Sequence, residues 1–137
     1  MNEFHIEKDS LYTLGMYHTN EYKSSLNMNW EAITGKIKKH SDILLSRRLT
    51  LHQRVIYANT CLLSKLWYVA HVYPLTGEHS KKVNAILFQY IWGGRYEPIK
   101  RATIYRPKQE GGLAVVNCSH KASTIMARTF INCYIHN

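Results

Sequence analysis

The sequence predicts a mainly α fold: three helices packed side by side as a bundle, a small β-hairpin and a C-terminal helix. Three observations lead there. Apolar residues recur at spacings of three, four and seven over most of the chain, which is the period of a helix face and not of a strand. Helix start and stop signals bracket those stretches. The chain has 137 residues, 45% hydrophobic and 20% charged, the length and composition of a single folded domain.

At the N-terminus, Phe4-His5-Ile6-Glu7 alternates, and Lys8-Asp9-Ser10 offers turn chemistry before Leu11-Tyr12-Thr13-Leu14. This predicts a short hairpin ending at Gly15. Asn20–Asn29 is polar and reads as a loop. A helix is expected from Asn29 as N-cap, with Trp30, Ile33, Ile37 and Leu44 on one stripe. Thr50-Leu51-His52-Gln53 matches a capping box, so a long helix should follow, burying Leu51, Val55, Ala58, Leu62, Leu66, Val69 and Tyr73 until Pro74 stops it. Thr76-Gly77-Glu78 opens a third helix with Val83, Ile86, Leu87, Tyr90 and Ile91 as its apolar set, and Gly93-Gly94 ends it. Short β-like runs at Ala102–Arg106 and Leu113–Val116 predict a hairpin around Pro107–Gly112. A last helix from about Ser119 carries Ala122, Ile125, Met126, Thr129, Phe130 and Cys133. Trp30, Leu62, Leu66, Val69, Ile86 and Phe130 are the expected core.

The net charge is +9, but it is unevenly placed. Residues 1–21 carry −3, and the remaining 116 carry +12. A surface of that sign attracts polyanions, because Lys and Arg release the counterions condensed on nucleic-acid phosphates. Two clusters hold the charge. The first contains Lys36, Lys38, Lys39, Arg47, Arg48 and Arg54; the second contains Arg95, Lys100, Arg101, Arg106 and Lys108, interleaved with Tyr96 and Tyr105. Cations mixed with aromatics suit phosphate contacts and base stacking. Lys38, Lys39, Arg47, Arg48, Arg54, Arg95, Lys100 and Arg101 are therefore the candidate nucleic-acid-binding residues. Tyr90 and Trp92 are expected in the core, and the competing reading is a basic helical module that binds protein, with solvated cations.

Several other functions are disfavoured. GxSxG, GxxxxGK[ST], HExxH and kinase signatures are missing, and the acidic residues form no pair at helical spacing that could hold two metal ions. Cys118/His120 and Cys133/His136 could supply four zinc ligands, but their spacing fits no common zinc module, so neither a metal nor a cofactor is expected. The longest apolar run, Leu66–Leu75, contains His71 and Pro74 and falls short of the ~18 residues of a membrane span. Three cysteines make no disulfide framework, and the first twenty residues have no secretory pattern. An intracellular setting is expected, in nucleus or cytoplasm.

The run Arg48-Leu49-Thr50-Leu51-His52-Gln53-Arg54, then Asn59, then Leu62-Leu63-Ser64-Lys65-Leu66-Trp67-Tyr68 and Pro74 resembles a particular family. Ile91-Trp92, Tyr96-Glu97-Pro98-Ile99, Arg106-Pro107 and Gly111-Gly112-Leu113 continue the pattern in order, and Leu14-Gly15 precedes it. Together, from about residue 11 to 130, they are similar to the region after the polymerase core in non-LTR (LINE-type) retrotransposon reverse transcriptases. Gln53 departs from the pattern, since the family often has glycine before the arginine matching Arg54. The Tyr-x-Asp-Asp metal-binding turn, the endonuclease domain and the Cys/His knuckle of that family are not in this sequence. The resemblance thus implies a fragment of an RNA-directed DNA polymerase without its catalytic palm, not an enzyme on its own. It implies a palm-end remnant over 1–22, a helical thumb-like domain over 23–94 and a connector over 95–137. The implied partners are an RNA–DNA or DNA duplex, gripped through its backbone, and the palm domain of the parent polymerase.

Overall fold

A computed structural model describes residues 5–7 and 10–135. The expected Lys8-Asp9 turn, Phe4 and His136 lie outside them. Three short antiparallel strands come first: β1 (His5–Glu7), β2 (Ser10–Thr13) and β3 (Met16–Thr19), in that spatial order. The hairpin expected to end at Gly15 instead continues. Leu14 and Gly15, at φ 52° and 80°, form the tight turn into β3, the backbone sign that matches strand twist in two-residue hairpins. Tyr12 pairs with Tyr17 across the turn, their ring centroids 4.7 Å apart.

Helix α1 spans Tyr22–Leu45, seven residues earlier at its start than the expected Asn29. The loop expected at Asn20–Asn29 is a helix because its polar residues serve the sheet. Asn29 is buried inside α1, not at its cap; its amide accepts from Tyr17 N and donates to Tyr17 O, both at 2.8 Å. Ser25 Oγ accepts from Thr19 N at 2.7 Å. These side chains satisfy the outer edge of β3, which would otherwise present unpaired backbone groups.

The long helix after Thr50 is a rod in three pieces: α2 (Leu51–Tyr57), a π-helical segment (Ala58–Leu62) and α3 (Ser64–Ala70). The capping box forms in both directions, Gln53 N to Thr50 Oγ1 at 3.3 Å and Thr50 N to Gln53 Oε1 at 3.0 Å. Val55, Ala58, Leu62, Leu66, Val69 and Tyr73 are buried as expected, with Leu51 half-buried. The π-helical turn was not legible. It places both Leu62 and Leu63 fully inside the core, which one regular helix face would not do for adjacent residues. Beyond α3, Trp30 Nε1 donates to Pro74 O at 2.9 Å and ties the rod's end to α1.

Helix α4 (Gly77–Ile91) is capped by Thr76 and closed by Gly93 and Gly94 at φ 63° and 79°. It packs along α1 and against the rod. Val83, Leu87, Phe88, Tyr90 and Ile91 are buried, and Ile86 is half-buried. The hairpin expected over 102–116 is absent. In its place stand α5 (Arg101–Ile104), a 3-10 turn (Lys108–Glu110) and an irregular run into α6. The extended-looking residues fold back because Gly112 N reaches Pro107 O at 3.1 Å and Ala114 N reaches Arg106 O at 2.9 Å. Asn59 holds this run from the rod, donating to Ala114 O at 3.1 Å and accepting from Val116 N at 3.0 Å.

The C-terminal helix α6 (Cys118–Ile135) packs on α3 and α4 through Cys118 and Ala122. Its second half leaves the core. Phe130, expected inside, is 72% exposed, on the rim of a groove it shares with Pro74 and Leu75. No helix among the described residues is long and apolar enough to cross a membrane. The molecule is mainly helical, with a small antiparallel sheet and a C-terminal helix, the fold class expected from the sequence.

Candidate nucleic-acid interface

The two basic clusters, distant in sequence, each send one arginine, Arg54 and Arg95, to the C-terminal end of α4. Arg54 projects from α2 and donates from Nη1 to Ile91 O at 3.4 Å. A cation there opposes the partial negative charge of the helix end. The fit requires Gly93: a Cβ at that position would lie 2.6 Å from Arg54 Nη1. Past the glycines, Arg95 turns back, its amide bonded to Trp92 O at 3.2 Å. The result is an open groove of about 750 Å³ lined by Leu51, Arg54, Ile91, Trp92, Arg95 and Tyr96, with Gly93 and Pro98.

Tyr90 lies buried beside it. Burial pushes its phenol up, while the positive fields of Arg54 and then Arg47 pull the other way. Among the described residues, the Tyr90 hydroxyl and Trp92 Nε1 are buried without a hydrogen-bond partner.

The eight candidate cations divide. Arg47 and Arg48 lie in the turn between α1 and α2, exposed and without an ion pair among the described residues. Arg95 and Lys100 are exposed in the segment after α4, also unpaired there. Lys39 points to solvent from α1, away from Ile37, Ser41 and Leu44. Lys38 binds Asp42 at 2.7 Å on the surface, a pair too exposed to fix the ammonium firmly. Neither lysine lines the groove. Arg101 is occupied: Glu97 receives Nε at 3.0 Å and Nη2 at 2.9 Å, and the guanidinium stacks 4.4 Å from the Phe88 ring centroid. That geometry gives Arg101 a packing role.

Sequence reasoning missed Trp92 as a groove residue, since Tyr90-Ile91-Trp92 reads as one core run; it is half-buried and lines the groove. The signal was the Gly93-Gly94 pair, which ends the helix and turns the next residues back toward its last turn. Of the Cys and His residues weighed as zinc ligands, His136 lies outside the described residues. Cys118 is buried and its thiol donates to Asn84 Oδ1 at 3.3 Å, while His120 and Cys133 are exposed. No group of three or more His, Cys, Asp or Glu gathers among the described residues.

A second surface is apolar. Pro74, Leu75, Ala122, Met126 and Phe130 line a groove of about 360 Å³, and Ile131, Tyr134 and Ile135 extend the exposed apolar end of α6. Compared with protein-family models, curated proteins and solved structures, the chain matches none.

Proposed function

We propose that the chain is a thumb and connector segment of a LINE-type reverse transcriptase, which grips a template–primer duplex by its phosphates without reading sequence. The observation that carries this is the meeting of one arginine from each basic cluster: Arg54 and Arg95 share one groove, and a weaker field from Arg47 also reaches the buried Tyr90. Sequence-independent gripping needs several cations on one rigid surface and no base-edge code. Several residues that carry the resemblance also touch one another. Arg54 meets Ile91, Tyr68 donates to Leu14 O, and Gly112 packs on Arg106. An ordered set of motifs that contact one another behaves as one folding unit, which supports reading them together.

The proposal assigns this segment no nucleotide transfer of its own. Two-metal phosphoryl transfer requires fixed carboxylates, and the groove is lined by none. A palm domain of the same polymerase would supply them.

Anisotropy with RNA–DNA and DNA duplexes of unrelated sequence tests the reading. All should bind at low salt, and Arg47→Ala with Arg48→Ala should weaken all alike while the circular dichroism stays unchanged. The exposed apolar end of α6 favours a second reading, a protein-interaction module. Absence of duplex binding by the folded chain would establish that one instead.

A further inference from the structure

We infer that the groove at the end of α4 receives an unpaired nucleotide of a nucleic-acid strand, its base against Tyr96 and its phosphate between Arg54 and Arg95. The inference rests on the nucleic-acid reading above and adds a second mode to duplex gripping. The groove offers two kinds of contact at once. Two guanidinium groups line it with no carboxylate between them, so it selects an anion. The rest of its lining is apolar or aromatic, which selects a flat, poorly solvated face. A nucleotide carries both, and the groove's 750 Å³ lies within the range of about 300–1,000 Å³ typical of small-ligand clefts.

Duplex alone would not use this surface fully. Paired bases are stacked on one another, and only an unpaired base can turn its face to a side chain. Tyr96 is 83% exposed, a ring with almost no packing in the protein itself. The backbone just before it is held by a turn, Gly94 N bonding Gln89 O at 2.8 Å and Arg95 N bonding Trp92 O at 3.2 Å, which brings Tyr96 to the groove while its ring stays open to solvent.

The test compares a blunt DNA duplex with the same duplex carrying a single-stranded thymidine extension, using oligo(dT), thymidine monophosphate and an acidic peptide as competitors. The extension should tighten binding roughly tenfold, the effect of one stacked base. Tyr96→Ala should remove that gain, bringing the extended and the blunt duplex to the same affinity, while Tyr96→Phe should keep it. The exposure of Tyr96 makes both variants safe for folding. If Tyr96→Ala affects both ligands equally or neither, the inference falls while duplex gripping stands. Competition by thymidine monophosphate as strong as by oligo(dT) would reassign the groove to a free nucleotide and overturn the strand assignment. Equal competition by the acidic peptide would overturn it too. Loss of blunt-duplex binding with Tyr96-dependent oligo(dT) binding retained would remove the duplex reading and leave this inference supported.

Discussion

Gly35 and Gly112 show how differently the same residue can matter. Gly35 sits within α1, and a Cβ there would meet nothing within 4 Å. Gly35→Ala should therefore stabilise the fold by about 0.5–1 kcal/mol, measured as a higher urea midpoint. At Gly112 a Cβ would lie 2.0 Å from the Arg106 carbonyl oxygen, and backbone cannot yield as a side-chain tip can. Gly112→Ala should cost at least about 2 kcal/mol. Cys118 makes a prediction in pH. Burial holds its thiol above the ordinary value of 9.0, so the folded chain keeps that proton after the unfolded chain has lost it. This contribution is whole below about pH 9 and is lost as pH rises through the folded value. Burial raises Tyr90 and Tyr105 from 10.0 in the same sense, so their contributions fade above about pH 10. The urea midpoint should drop from pH 9 upward, and Cys118→Ala should flatten the first part of the drop. Residue roles were only partly legible. Arg101 reads in sequence as one more free cation, because Glu97 four residues earlier says nothing about the Phe88 ring that completes its site.

Elements were legible where local chemistry decides them. Thr50 with Gln53, Thr76 and Gly93-Gly94 punctuate the chain as their side chains and dihedrals require, and the structure uses each of them, whereas the helix expected to run to Pro74 ends at Ala70. The start of α1 was not, because Ser25 and Asn29 are buried to serve a strand that their own sequence does not announce. Residues 102–116 misled for the opposite reason: β-like composition is overridden by the tight contact of Gly112 with Arg106 and by the hold of Asn59. The π-helical segment yields a sharp prediction. Leu63 N reaches Ala58 O at 2.9 Å, one residue further than in an α-helix. The π-turn already absorbs one extra residue, so deleting exposed Thr60 should make the Leu63 N to Ala58 O bond a regular α-helical one and keep α2 in register with α3. Arg54 then stays at Ile91 O, and the folded variant should keep its duplex binding. Loss of duplex binding together with a large fall in melting temperature would show that the π-turn itself positions Arg54.

At the scale of the whole molecule, a charge imbalance readable from composition becomes a located surface. Helix packing brings the first turns of α2 and the segment after α4 together, with Arg54 and Arg95 in one groove, and Arg47 and Arg48 lie exposed in the turn that leads into α2. The chain order alone could not place Arg95 beside Arg54, since that depends on α4 returning along α1. Lys38 and Lys39 remain outside the groove, so the proposed grip rests on about four arginines. The central claim is that phosphates are what this end binds, and a salt titration of duplex affinity tests it most directly. With about four phosphates contacted, log K against log salt should fall with a slope of roughly −3 to −4. Arg47→Ala with Arg48→Ala should flatten that slope by about 2 for every duplex sequence. A slope near zero, or one that the double substitution leaves unchanged, would contradict the account.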